Sequence, residues 1–144
     1  MFAEGSSTPH NRDTNKKLVK IIHLLLEDPE SVSFRKPVPH KGTNSLYLAL
    51  GLGDYKKIIK KPIDLNQIRR QNNEFKYKTI EEALDDIQLC WDNCKLYNHA
   101  SSEVYNQALT LQKLFWKLVQ ENFPEIYINA EDKLKEAESR EIPP

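Results

Sequence analysis

The chain has 144 residues, 39% hydrophobic and 29% charged, a balance typical of one soluble globular domain with short flanking segments. Lys and Arg total 21, as do Asp and Glu, and this neutrality argues against broad, sequence-independent binding of nucleic acid. The longest apolar runs are too short to span a bilayer. No cationic stretch followed by an apolar run predicts a secretory signal at the start of the chain.

The two cysteines, Cys90 and Cys94, lie one helical turn apart. Two side chains at that spacing on one helix are poorly placed for a disulfide, so they are predicted to be free thiols on or beside a core face. The four histidines show no zinc-like spacing with them, and no metal or cofactor is predicted.

Residues 1–12 are polar, contain glycine, serine and proline, and are predicted to form a flexible tail. The first helix is predicted from Asp13 or Thr14 to Leu26, with an apolar stripe at helical spacing. It ends before Pro29, because the residue preceding a proline disfavours helical geometry.

A long connector over residues 29–62 follows the first helix. Connections of this length are uncommon in compact domains and are usually functional or disordered. This connector is rich in apolar side chains, which a solvated loop does not need, so it is interpreted as an ordered loop packed against the helices. Its apolar and aromatic side chains are Phe34, Val38, Leu46, Tyr47, Leu48, Leu50, Leu52 and Tyr55.

The remaining helices are marked by their predicted caps. Asp64 caps the second helix, which ends within residues 71–73, and Thr79 caps the third, which reaches Tyr97 or Asn98. A fourth helix starts after Ser101 or Ser102 and ends at 123–124. No stretch predicts a strand, so the fold class is all-α, an antiparallel four-helix bundle with a long ordered loop between the first two helices. Residues 125–144 form a charged C-terminal extension that is compatible with a helix.

Two separated motifs carry the functional prediction: residues 54–64 and residues 93–98. Asn98 follows an apolar helix, where its amide offers both a donor and an acceptor at the mouth of a pocket. The alternative for Asn98 is a helix C-cap, and the alternative for Tyr55 is a core residue with a solvated hydroxyl. In this order, the two motifs resemble those of a bromodomain, the four-helix module that binds acetylated lysine, over roughly residues 14–123.

The resemblance implies a left-handed bundle over residues 13–124 and a role for each site residue. Asn98 would donate its amide to the acetyl carbonyl, and Tyr55 would hold an ordered water that reaches the same oxygen. The other implied residues line the pocket: Val38, Leu50, Leu52 and Tyr97 in its walls, Val104 at its rim as an aliphatic gatekeeper, and Phe34 on its floor.

The chain departs from the usual bromodomain pattern in the connector. Residues 32–34 are Val-Ser-Phe where many members have Trp-Pro-Phe, so the aromatic shelf is missing or supplied from elsewhere. Gly53 stands where a proline often precedes the Asp-Tyr pair. Residues 39–48 resemble an insertion, in which Tyr47 is a candidate substitute for the shelf. These departures bear on peptide preference more than on fold.

The resemblance implies a non-enzymatic, nuclear and monomeric reader domain whose partners are acetylated histone tails or other acetylated proteins. Cys94, Asn98 and His99 do not form a convincing nucleophile site, since nothing orients the imidazole towards the thiol. Two alternatives remain: a bromodomain-like bundle used only for protein–protein contact, and a nucleic-acid contact through a basic cluster. The cluster consists of Lys56, Lys57, Lys60 and Lys61, with Arg69 and Arg70 nearby.

Overall fold

The structure, a computed structural model, describes residues 1–4, 7–38 and 55–141. In this part of the chain all regular elements are helical, which confirms the predicted fold class. The elements are α1 (Arg12–Glu27), a 3-10 helix (Pro29–Phe34), α2 (Tyr55–Ile58), α3 (Leu65–Asn73), α4 (Ile80–Tyr97), α5 (Glu103–Asn122) and α6 (Pro124–Glu141). The four predicted helices correspond to α1, α3, α4 and α5.

The helix starts follow the capping residues. Asp64, Thr79 and Ser102 each accept a hydrogen bond from the backbone N–H three residues further on, at 2.9, 3.3 and 3.3 Å. An unpredicted capping box begins α1, because the side chains of Asn11 and Thr14 bond each other's backbone N–H at 3.0 and 2.8 Å. Each cap satisfies an N–H that the helix itself leaves without a partner.

Trp91 lies at the centre of the core and is fully buried. Its ring contacts Phe34 from the connector, with centroids 5.3 Å apart, and Phe115 of α5, with centroids 6.5 Å apart. Both contacts are edge-to-face, the geometry that aromatic quadrupoles favour. The indole therefore connects the connector to the helix pair α4 and α5, and this pair carries one wall of the site described below.

The first residues of the chain are packed on the bundle. Phe2 is 2% exposed, and its ring centroid lies 5.8 Å from that of Phe115 and 5.2 Å from that of Trp116. A phenylalanine at this degree of burial belongs to the core, so the prediction of a flexible tail over residues 1–12 is wrong at this position.

Polar contacts hold the same segment along α4. The backbone N–H and hydroxyl of Thr8 each donate to the Glu81 carboxylate at 2.7 Å, and Glu81 is fully buried. The N–H of Ala3 donates to Asp85 at 3.1 Å. Composition alone misled the prediction here, because a polar segment can be ordered by carboxylates on a neighbouring helix.

The C-terminal extension is helical and also packs on the bundle. Ile126 and Ala130 of α6 are 3% and 2% exposed, and the Tyr127 ring centroid lies 6.0 Å from that of Trp116. Both flanking segments thus share the bundle's core, and the domain limits of 13–124 stay a prediction. No described helix is both long enough and apolar enough to cross a membrane.

Candidate functional site

A cavity of about 190 Å³ opens where α4 ends and α5 begins. Six of the eight residues predicted for the site line it: Phe34, Val38, Tyr55, Tyr97, Asn98 and Val104. The other two, Leu50 and Leu52, lie outside the described residues, as does Tyr47, the proposed substitute for the shelf. Chain segments far apart in sequence therefore meet at one cavity.

One face of α4 supplies most of the wall opposite the connector. Cys90, Asn93, Cys94 and Tyr97 all line the cavity, and their spacing of three and four residues places them on one side of a helix. Of these four residues, only Tyr97 was predicted from sequence to lie in the site. Cys90 and Cys94 were predicted to be core residues and Asn93 had no predicted role, although the same helical periodicity was a sufficient signal for all three.

Asn98 has the structural role that the sequence offered as one alternative, and it also lines the cavity. It is the C-cap of α4, where its backbone N–H and its Nδ2 each donate to the Cys94 carbonyl oxygen at 3.0 Å. Its backbone is extended, with φ −105° and ψ 151°, and so differs from the left-handed conformation in which asparagine often follows a helix. The same side chain lines the cavity. The Nδ2 also lies 3.6 Å from the Cys94 Sγ, a weak sulfur acceptor, and the amide carries a carbonyl oxygen, so capping does not use up its hydrogen-bonding capacity.

Tyr55 is buried beside Asn98's helix, with 6% of its surface exposed. Its ring packs edge-to-face on Tyr97, with centroids 4.8 Å apart. Burial, reinforced by the nearby Cys94 and Cys90, raises the pKa of Tyr55 to about 12. The hydroxyl therefore stays protonated at neutral pH, where it can both donate and accept a hydrogen bond.

Val104 and Cys94 connect the two helices at the mouth of the cavity. The Cys94 Sγ lies 3.4 Å from the Val104 carbonyl oxygen, a distance at which the thiol donates a weak hydrogen bond. Burial raises the pKa of both Cys94 and Cys90, so both thiols are protonated and poorly nucleophilic at neutral pH. Their contribution to the cavity is as small apolar groups.

The linker before α3 forms another wall, which was not predicted from the sequence. Ile63 lines the cavity, and the linker is held to α4 by Asn93, whose Nδ2 donates to the Lys61 carbonyl oxygen at 2.9 Å. The Lys61 ammonium in turn pairs with the Asp86 carboxylate at 2.8 Å. Asp86 and Asn93 are both 8% exposed, whereas the Lys61 side chain is 63% exposed, so the linker is held to α4 by one buried amide and by an ion pair at the surface.

In the basic cluster, one of the described lysines is paired with a carboxylate. Lys57 and Lys60 are exposed, but the Lys61 charge is matched by Asp86. The side chain of Lys56 lies outside what the structure describes. Among the described residues, no group of three or more metal-ligating side chains is placed to hold an ion.

The chain is similar in sequence to known proteins. The Bromodomain family model matches residues 18–110, and the chain belongs to the bromodomain family. It is 34% identical over 116 residues to Bromodomain adjacent to zinc finger domain protein 2 of Caenorhabditis elegans, covering 78% of this chain and 8% of that protein. It is 31% identical over 116 residues to Bromodomain-containing factor 2 of Saccharomyces cerevisiae, covering 76% of this chain and 17% of that protein.

A shorter match of 62 residues is 42% identical to Bromodomain adjacent to zinc finger domain protein 1A of Xenopus laevis, covering 43% of this chain and 10% of that protein. The chain spans between 8% and 17% of the length of these curated relatives. Bromodomains are typically non-catalytic modules that bind acetylated proteins, and membership supports a chromatin-associated acetyl-lysine reader as this chain's class.

Proposed function

We propose that this protein binds acetylated lysine in the cavity at the α4–α5 junction, on histone tails in the nucleus, without catalysing a reaction. The observation that carries the proposal is the convergence of Tyr55 and Asn98 on one cavity. They are 43 residues apart in sequence, and each on its own has an ordinary structural explanation.

The lining of the cavity suits a neutral acyl-lysine. Acetylation removes the lysine charge and leaves a flat amide on an apolar stem. The thiols, aromatic rings and aliphatic side chains of the lining favour burial of the stem and the methyl group. The acetyl carbonyl loses its water partner on entry, and Asn98 supplies the replacement donor.

Rejection of unmodified lysine follows from the same lining. None of the described residues that line the cavity is acidic, so an ammonium entering it would lose its hydration without gaining a counter-charge. The penalty for a buried unpaired charge exceeds the gain from burying the stem. Selectivity therefore depends on the absence of a carboxylate among the described lining residues as much as on the Asn98 amide.

The test is a calorimetric titration with matched acetylated and unacetylated histone-tail peptides, using wild type and Asn98→Ala. We expect acetyl-dependent binding by the wild type and a loss of roughly 1–3 kcal/mol of binding free energy in Asn98→Ala, because the carbonyl is left without its donor. Unchanged binding by Asn98→Ala, or no discrimination between the two peptides, would contradict the proposal.

Asn122 provides a matched control because, like Asn98, it lies at the end of a helix. At the end of α5, the Nδ2 of Asn122 donates to the carbonyl oxygen of Leu118, four residues earlier, at 2.8 Å. This repeats the Asn98–Cys94 contact away from the cavity. We expect Asn122→Ala to lower the melting temperature by about as much as Asn98→Ala does, and to leave acetyl-peptide binding unchanged. An equal loss of binding in both variants would show that a helix-end defect, not a missing donor, was being measured.

A further inference from the structure

The described rim of the cavity is positively charged on the connector side. Lys36 lines the cavity and is exposed, and it is the one charged residue among the described lining residues. No ion pair among the described residues involves Lys36. A peptide that places an acetyl-lysine in the cavity therefore passes an ammonium group that is not neutralised by those residues.

The backbone that carries Lys36 is held from both sides. The guanidinium of the preceding residue, Arg35, donates from Nε to Ser31 Oγ at 3.0 Å and from Nη2 to the Asp28 carbonyl oxygen at 2.9 Å. The backbone carbonyl oxygen of Arg35 accepts a hydrogen bond from Asn66 Nδ2 of α3 at 2.6 Å. Ser31 is fully buried. The Lys36 Cα thus has a determined position, and little backbone entropy is lost when its side chain meets a ligand.

A second group of positive charges follows Tyr55. Lys57 lies in α2 and Lys60 follows that helix; both are exposed, and Lys60 Nζ donates to the Lys57 carbonyl oxygen at 3.0 Å. Tyr55 of the same short helix lines the cavity. Exposed lysines therefore lie in both chain segments, the connector and α2, that supply lining residues on this side of the cavity. The described lining includes no carboxylate.

We propose that the cavity selects acetyl-lysines that have an anionic side chain one to three residues away in the same peptide, with Lys36 as the residue that recognises this charge. The inference rests on the proposed function and names its preferred substrate class. An extended chain advances about 3.3 Å per residue, so a neighbouring side chain at these positions stays close to the rim. A carboxylate and a phosphate share the required chemistry.

The size of the effect follows from the exposure of the ammonium. A solvent-exposed ion pair contributes about 0.2–1 kcal/mol, which converts to a preference of up to about fivefold. A lysine at the neighbouring position would be disfavoured by a similar factor, because like charges repel. Both effects should shrink as salt is raised, whereas insertion of the neutral acetyl group should not.

The experiment measures dissociation constants for one acetyl-lysine peptide scaffold in which glycine, aspartate, phosphoserine or lysine occupies the flanking positions. An unacetylated glycine peptide is included. Proteins are the wild type, Lys36→Gln, Lys36→Glu and the control Lys117→Glu, whose lysine is exposed on α5. Lys117 lies 13 residues beyond Val104, roughly 20 Å along the helix axis. The readout is the affinity ratio between flanks within each protein, which cancels any uniform change.

We expect the wild type to favour aspartate over glycine by about two- to fivefold and phosphoserine by at least as much. The ratio should approach one in Lys36→Gln, reverse in Lys36→Glu and persist in Lys117→Glu. Equal affinities across flanks, or a ratio that Lys36→Glu leaves unchanged, would overturn the inference while acetyl-dependent binding stands. Failure of the acetylated glycine peptide to bind better than its unacetylated form would overturn the proposed function itself.

Discussion

At the residue scale, two side chains that line the cavity also have structural roles. Asn98 ends α4 through two hydrogen bonds to the Cys94 carbonyl oxygen and also faces the cavity. Tyr55 packs on Tyr97 and lines the same cavity. Because each side chain is held by a packing or capping contact, the fold itself sets its position, and under the proposed function this lowers the entropy cost of binding.

The raised pKa of Tyr55 predicts how stability responds to alkaline pH. Burial disfavours the phenolate, so the pKa is about 12 in the folded protein, against 10.0 for an ordinary tyrosine. The contribution of Tyr55 to the free energy of unfolding is fully present below pH 10. It is lost as pH rises towards 12, because over this interval Tyr55 loses its proton in the unfolded chain but keeps it in the folded protein. Urea denaturation should show a steeper loss of unfolding free energy over this interval for wild type than for Tyr55→Phe.

The two curves should run parallel at pH 8, where the phenol is protonated in both states, and this interval serves as the internal control. Since lysines also titrate at alkaline pH, only the difference between the two proteins is diagnostic. Parallel curves all the way to pH 12 would mean that the Tyr55 phenolate is as well solvated in the folded protein as in the unfolded chain.

At the element scale, the segment before α1 behaves as part of the bundle. Phe2 inserts beside Phe115 and Trp116, and the buried Glu81 carboxylate binds the Thr8 N–H and hydroxyl. Buried carboxylates need such partners, because an unpaired charge in the interior is costly. The segment therefore supplies hydrogen-bond donors to the buried Glu81 carboxylate, and Glu81 in turn holds the segment on the bundle.

Phe2→Ala should lower the free energy of unfolding by about 3 kcal/mol, at the low end for buried phenylalanine, because a segment near the chain end can relax. The measurement is urea denaturation followed by tryptophan fluorescence. Phe75→Ala is the matched control: Phe75 is 84% exposed, and its truncation should change stability by less than about 0.5 kcal/mol. Similar losses in the two variants would argue that Phe2 is not a core residue in solution.

At the scale of the whole molecule, the cavity and the flanking segments occupy different parts of the bundle. None of the described residues that line the cavity belongs to α6 or to the residues before α1. The family match likewise ends at residue 110. Stability and ligand binding should therefore be separable by truncation.

Deletion of residues 124–144 should reduce the free energy of unfolding by about 2–3 kcal/mol, since the buried surface of Ile126 and Ala130 is lost and the Trp116 face becomes exposed. Acetyl-peptide binding, if the proposed function holds, should be unchanged at temperatures where the shortened protein is folded. Thermal unfolding and calorimetry measure the two effects. A shorter deletion of residues 138–144 keeps both buried residues and should have little effect; an equal loss would place the stabilisation in the charged end of the helix.

Local sequence signals predicted the elements well wherever one segment contained the whole signal. The caps at Asp64 and Thr79 and the apolar stripe around Trp91 specify helices through nearest-neighbour physics. The paired motifs around Tyr55 and Asn98 identified the family, because two patterns in the right order are far more specific than either alone. The family match over residues 18–110 confirms that assignment.

Only the tertiary structure decided which side chains share the cavity and which polar residues are buried. Ile63 and Lys36 entered the site, and Glu81 and Phe2 turned out to be buried, because each position depends on contacts with segments distant in the chain. Periodicity reports the face of a helix that turns inward, but it carries no information on the partner that covers that face. The physical reason is that helices form from local hydrogen bonds, whereas a binding site forms where separate elements pack.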